Sequence, residues 1–381
     1  MSKKQKQLAR PQIALLLTGG GARAAYQVGV LKAIAQSMPR TAPLPFTIIN
    51  GTSAGAINSA ALACYASCTH LAVRKLEWVW KNFSTSMVYK SDFFSVFLHI
   101  TRNMLTSFQS EHINHPPASL LNNQPLRKLL GTILDLGRIE RNLHKNYLNA
   151  VSVTASSYTT GDSVAFFQSL TRQPWQRAKR EGRATRINIE HLMASSAIPM
   201  VFPSVNVHNH YFGDGSVHQL SPLSPSIHLG AEKVFIIGVE QPKALHPPGY
   251  LPHYPGLSSI AGHLLDSVFT DTLQSDLERL ERINRTLDLL PTNDQHQELK
   301  QIDTFVINPS QNFNEIAAQF YDDMPMAIKL LLRLIGVKKR SQSSLTSYLL
   351  FEKRYTQKLI DIGYQDGLNK LEEIRAFLEL N

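Results

Sequence analysis

Two short apolar runs, each opening into a glycine-rich turn and then a helical pattern, constrain this chain more than any other feature. The first is IALLL, residues 13–17, which leads into TGGGAR; the second is PFTIIN, residues 45–50, which leads into GTSAG. A continuous apolar run bounded by glycines suits a strand buried on both faces, because side chains on either side of the pleat meet core. Between the runs, Ala25, Val28, Leu31, Ala33, Ile34 and Ala35 recur with helical spacing up to Pro39. Strand, loop, helix and strand predict a βαβ unit with parallel strands and a right-handed crossover. Both glycine-rich turns then lie at one edge of the sheet, where open α/β sheets bind ligands.

Further strands are expected at LNAVSVTA (148–155), VAFFQ (164–168), KVFIIGVE (233–240) and TFVIN (304–308), so the sheet draws on distant parts of the chain. Residues 1–11 are basic, polar and end at Pro11, as in a flexible arm. Residues 83–125 look like an insertion, with Phe83, Tyr89, Phe93, Phe94, Phe97 and Phe108 among polar residues and prolines at 116 and 117. Satellite core and a lipid-facing lid are the two readings of it. Residues 264–290 place Phe269, Leu273, Leu277, Leu280, Ile283 and Leu287 three or four apart with charges between, which predicts a long amphipathic helix. More helices are expected over 326–340 and in the tail, and the absence of a clean linker favours one elaborated domain.

Lys and Arg exceed Asp and Glu by 39 to 29, a net charge of +10, and no acid precedes Glu77. Such a balance permits nucleic acid or an anionic membrane surface as partner and does not choose between them. The basic segments lack the interleaved aromatics of a single-strand binder, so nucleic acid is not expected. Cys64 and Cys68 fit neither a disulfide framework nor a zinc pattern; at helical spacing both thiols would share one buried face. The apolar centre of the N-terminal stretch has five residues where a secretory core wants ~7 to 15. Residues 41–73 lack charge but are broken by Asn50, Thr52, Ser53, Asn58 and Ser59, unlike a span of ~20 mainly apolar residues. A cytoplasmic chain without signal peptide or transmembrane helix is expected.

GTSAG, residues 51–55, places Ser53 on a strand-turn-helix, the context of a nucleophile elbow. Gly51 and Gly55 flank the serine at −2 and +2, where a sharp turn crowds any side chain. Attack on an acyl carbon creates an oxyanion, and aligned backbone N–H donors stabilise it by roughly 3 to 4 kcal/mol each. Gly19, Gly20 and Gly21 stand at the neighbouring strand's exit, ahead of a helix N-terminus, and the Ala54 N–H follows the nucleophile. Phosphate binding uses the same physics, but no Gly-Lys-Ser/Thr follows these glycines. The relaxed dinucleotide pattern Gly19-x-Gly21-x-x-Ala24 lacks its acidic partner, leaving NADP with a basic residue such as Arg40 as an alternative. For the base, fourteen histidines keep a Ser-His-Asp triad open. YFGDGSV, residues 211–217, offers Asp214 between two glycines, as a carboxylate exposed at a tight turn whose pKa partial burial could raise, or as a plain Asp-Gly turn.

GGGAR at 19–23, GTSAG at 51–55 and DGS at 214–216, in that order, resemble the patatin-like phospholipases. MASSAIPMVFPSV (193–205) and NNQPLRKLL (122–130) look like that family's supporting blocks, and the later helices resemble bacterial members with a C-terminal helical extension. The resemblance implies a three-layer α/β/α, lysophospholipase/malonyl-transacylase-like fold with a mainly parallel central sheet. It implies a catalytic domain over 12–240, an extension over 241–381 packed on it, and no cofactor or metal. Ser53 and Asp214 would form a Ser-Asp dyad that hydrolyses fatty-acyl esters of lipids. Gly19, Gly20, Gly21 and Ala54 would hold the oxyanion. Arg23 would order the loop, meet a phosphate head group or form a surface salt bridge. One departure from the family's pattern is Ala24, where a glycine is common.

Substrate lipid at a membrane surface is the implied partner, and anionic lipid suits the basic segments QRAKREGRATR (176–186) and KLLLRLIGVKKR (329–340), which otherwise read as solvated helix faces. Two other readings stand beside it: an acyltransferase in which His70, His191, His208 or His210 serves as base to Ser53, and a catalytically silent membrane-binding scaffold.

Overall fold

The computed structural model describes residues 11–92, 119–242, 257–289, 299–334, 336–337 and 344–380. The arm's residues 1–10, Phe93, Phe94, Phe97 and Phe108 of the insertion, the Phe269 side chain and the 338–340 basic cluster lie outside the described residues.

Ten strands form one mixed sheet. Five lie parallel in the order β10 (Asp303–Ile307), β9 (Lys233–Ile237), β1 (Ile13–Leu17), β2 (Ile48–Thr52) and β3 (Ala150–Ser157). Beyond β3 the sheet turns antiparallel with β4 (Ser163–Ser169) and ends in a hairpin of β5 (Trp175–Arg177) and β6 (Arg180–Ala184). A second hairpin, β7 (Val205–Val207) with β8 (His210–Asp214), joins through β8 to the end of β3.

Alternation along the central strands builds the three layers. Ile13, Leu15, Leu17 and Ile49 point into one apolar cluster, whereas Ala14, Leu16, Ile48, Val234 and Ile236 point into the other. The first is covered by α1 (Ala25–Gln36), α2 (Ala54–Cys64) and α3 (Thr69–Lys81). On the second, Leu273 and Leu280 are buried from the long helix α5 (Leu257–Asp288), which follows α4 (Gln124–Ile133). At Gly29 of α1 and Gly363 of α7 (Lys353–Asn369), which follows α6 (Ser344–Leu349), a Cβ would strike the other helix's backbone, so these two helices cross in direct backbone contact. The chain beyond 240 therefore adds an edge strand, β10, as well as helices.

Four expectations are corrected. The basic stretch 176–186 is an edge hairpin rather than a helix face, and Arg183 and Arg186 pair there with Glu181 and Glu140. Helix α2 stops at Cys64, so Cys68 falls at the start of α3 instead of sharing a face with it; Cys64 is buried and Cys68 half-buried. Asp214 is fully buried where an exposed turn was expected, because β8 carries it onto β3. Arg23 is also fully buried, which excludes the surface salt bridge. Phe83 and Tyr89, the described aromatics of the 83–125 insertion, are core residues.

Candidate active site

The register of β3 brings the two candidate residues together. Strand β2 runs beside β3 as far as Thr52, which pairs with Thr154; β8 then takes the next rung, with Asp214 opposite Ala155. Ser53, the first residue after β2, thus arrives beside the last residue of β8. Its Oγ donates a 2.5 Å hydrogen bond to Asp214 Oδ2. Oδ1 of Asp214 accepts from the Ser216 N–H at 3.0 Å, so the carboxylate is held at both oxygens.

Ser53 adopts φ 55°, a left-handed backbone that a non-glycine residue holds only at a cost of roughly 1–3 kcal/mol and that recurs at functional sites. Its neighbours enforce it. The Ser53 N–H donates to Ser195 Oγ at 2.9 Å, and that hydroxyl donates to the Thr154 carbonyl at 2.6 Å, pinning the turn to β3. Ser195 was not singled out from the sequence, although it belongs to the block 193–205 that carries part of the family resemblance. The glycines at −2 and +2 are explained by close approach: a Cβ at Gly51 would strike the Gly55 carbonyl, and one at Gly55 would strike the carbonyls of Leu17 and Thr18. Gly215 likewise abuts the Thr154 carbonyl. Gly55 therefore sets the elbow directly against the exit of β1, where the triple-glycine loop begins.

Behind that loop runs a buried polar chain that left no sequence signal. Gln27 donates to the Thr18 carbonyl at 2.8 Å; Asn58 donates to Gln27 Oε1 at 2.9 Å and to the Ala24 carbonyl at 3.2 Å; Trp80 Nε1 donates to Asn58 Oδ1 at 2.9 Å. Arg23 faces away from it. Its Nε–H donates to Ser347 Oγ and an Nη to Asn314 Oδ1, both at 2.8 Å, and its guanidinium lies 3.8 Å above the Tyr348 ring centre. Arg23 is fully buried among these groups, with no part of it on the surface. Ala24 is buried at the end of a short 3-10 turn, Gly21–Ala24, that runs into α1.

A cavity of about 300 Å³ reaches the serine. Gly21, Ser53 and Ala54 line it together with Ile57 and Ala61 of α2, Leu76 and Val79 of α3, Leu126 and Leu130 of α4, and Phe351 from beyond the extension's first helices. Gly19, Gly20 and Asp214 do not line it; Asp214 sits behind Ser53. The wall is mostly apolar, with Ser53, Asn58, Lys75, Thr132 and Ser196 among its polar members.

Burial behind Ser53 pushes the Asp214 carboxyl up to about 6, against the lowering effect of the hydrogen bonds from Ser53 and Ser216. His191, by contrast, is buried and pushed down to about 4, first by burial and then by His208, and its Nδ1 accepts from the Asn188 N–H that begins its own helix. His70 faces the Met38 carbonyl. Neither histidine bonds to Ser53.

A family model described as patatin-like phospholipase matches residues 15–226, more than half of the chain. The chain belongs to the patatin-like phospholipase family. Over 117 residues this patatin-like chain is 32% identical to patatin-like phospholipase domain-containing protein 7 of Rattus norvegicus, a stretch covering 31% of the chain and 8% of that protein. The same protein of Mus musculus matches at 39% over 77 residues, 20% of the chain and 5% of that protein. The matched part is thus under a tenth of either relative's length. Among solved structures, VipD from Legionella pneumophila aligns with 96% of the chain and 67% of its own at 14% identity and TM-score 0.41. Human GIVD cytosolic phospholipase A2, in complex with methyl gamma-linolenyl fluorophosphonate, aligns with 99% and 61% at 12% identity and TM-score 0.43. Among the described residues, no helix is long and apolar enough to cross a membrane.

Proposed function

We propose that the protein is a lipid acyl hydrolase of phospholipase A or lysophospholipase type, working through a Ser53–Asp214 dyad. The observation that carries this reading is the 2.5 Å hydrogen bond from Ser53 Oγ to Asp214 at the wall of an apolar cavity. A fatty-acyl chain suits that cavity, because each buried methylene contributes about 0.8 kcal/mol. With the chain seated there, the ester carbonyl lies against Ser53.

Asp214 accepts the hydroxyl proton as Ser53 Oγ bonds to the carbonyl carbon. Backbone N–H groups of the Gly19–Gly21 loop and of Ala54 stabilise the oxygen as it becomes negative. Asp214 then returns the proton to the departing alcohol, leaving an acyl-serine. Water attacks that ester with Asp214 again as base, and fatty acid is released. The membrane surface is where such a substrate resides, and the chain's net charge of +10 favours anionic lipid there.

Fatty-acid release from a panel of phospholipids and lysophospholipids, alongside fluorophosphonate labelling, tests the reading. Release and labelling are expected from the natural chain and from single His70, His191, His208 and His210 to Ala variants, and neither from Ser53→Ala. Labelling that survives Asp214→Asn but is abolished by one of the histidine changes would assign the base to histidine instead.

A further inference from the structure

The glycine-rich loop is gripped by a part of the chain that the family model does not reach. Residues 344–351, together with Asn314, lie against it at three levels. At the backbone, Gly21 has φ +55° and a Cβ there would strike the Tyr348 carbonyl, so helix α6 packs directly on the loop. At the side chain, Arg23 is fully buried, with Ser347 Oγ on its Nε, Asn314 Oδ1 on an Nη, and the Tyr348 ring beneath the guanidinium. At the cavity, Phe351 supplies wall beside Gly21 and Ser53. Ser347 and Asn314 are bonded to each other at 2.8 Å, and Asn314 also donates to Ser344 Oγ at 3.1 Å, so the acceptors form one unit rather than two separate contacts.

A buried guanidinium is planar and cannot shed its proton, so its position follows from where its acceptors stand. Arg23 is two residues from Gly21, and its backbone N–H donates to the Gly20 carbonyl at 3.1 Å. Displacing the acceptors therefore displaces the turn that carries the loop's N–H groups. We propose that Ser347 and Asn314 are positioning residues, holding the 19–23 loop in register with Ser53 through Arg23, so that the C-terminal segment completes the site. The inference rests on the hydrolase reading for its kinetic consequence and on the loop geometry for its structural one.

Ser347→Ala and Asn314→Ala in the full chain test it, with Asn314→Asp, which keeps an acceptor for Arg23, as the conservative control. Because loop N–H groups act on the transition state, kcat for an acyl ester should fall about ten- to a hundredfold in the alanine variants, the loss expected of a misplacement near 1 Å. KM and affinity for the fatty-acid product should stay near the natural values. Affinity for a long-chain trifluoromethyl ketone, whose serine adduct carries an oxyanion, should fall with kcat, and Asn314→Asp should retain both. Amide exchange over residues 18–24 should quicken while the thermal midpoint of the chain changes little.

Parallel losses in kcat, product affinity and thermal midpoint would mean general packing and overturn the proposal, as would kcat and loop exchange that do not change. Absence of any ester hydrolysis or labelling by the natural chain would instead sink the hydrolase reading. Loop exchange alone would then decide the clamp, unchanged exchange overturning it.

Discussion

Ser53, the residue after Thr52, meets Asp214, which takes the rung after Thr52 along one edge of β3, and their side chains share a 2.5 Å hydrogen bond with both almost wholly shielded from solvent. Asp214 is fully buried, and Ser53 is the member of the pair that lines the cavity. Replacing Ser53 with Ala should remove ester hydrolysis entirely. Asp214→Asn preserves shape and removes the base, so the rate should fall by about 10²–10⁴. Single-turnover release of a chromogenic alcohol measures both, and an Asn variant within a factor of two of the natural rate would exclude Asp214 as base.

Burial holds the Asp214 carboxyl at about 6, and only the ionised form accepts a proton. Activity on an acyl ester should rise with pH through about 6 and level off above it. Stability runs the other way. A carboxyl whose folded pKa lies above its unfolded value of ~3.9 binds its proton more tightly when folded; its contribution is complete below that value and is lost as pH rises through about 6. Asp214→Asn carries no such loss, so at pH 8 the variant should melt above the natural protein, with the gap closing by pH 4. Calorimetry at the two pH values checks this, and a gap independent of pH contradicts it.

Gly21 combines a left-handed backbone with contact against the Tyr348 carbonyl. Gly21→Ala should lower stability by about 1–3 kcal/mol and depress the rate further than the stability loss alone accounts for. Denaturant unfolding and kcat measured on the same preparation separate the two. Full activity in a merely destabilised variant would remove Gly21 from the oxyanion-binding set.

Ala61 lines the cavity on α2, two turns beyond Ser53. Ala61→Phe should fill that stretch and shift preference toward shorter acyl chains, each excluded methylene lowering kcat/KM by about fourfold, from ~0.8 kcal/mol per methylene. A series of esters from short to long chains gives the profile. An unchanged chain-length optimum would place the acyl chain elsewhere.

The parts of this fold that were legible in the sequence are those written by local rules. IALLL and PFTIIN read as buried strands because core on both faces forces a continuous apolar run. GTSAG read as an elbow because a left-handed serine against crowding backbone needs glycine on both sides, and Gly51 and Gly55 are where a Cβ would collide. The long helix over 257–288 was legible from 264 onward by its spacing. By contrast, the hairpin at 176–186 carries few apolar residues to alternate, and a basic, polar stretch at a sheet edge gives periodicity nothing to detect.

For the site, the sequence by itself determined which residues could carry the chemistry: Ser53 on its elbow, Asp214 in its DGS segment, and the glycines of 19–21. Only the tertiary structure decided their state. That Asp214 is buried rather than exposed, and that its carboxyl is raised, follows from β8 docking onto the end of β3, a pairing between segments nearly sixty residues apart. That Arg23 is buried rather than meeting solvent is decided by where Ser347 and Asn314, each about three hundred residues away, stand to accept its hydrogen bonds. Local sequence sets backbone conformation and residue chemistry; burial, pKa and hydrogen-bond partners are set by whatever the fold brings alongside, and no local window contains those residues.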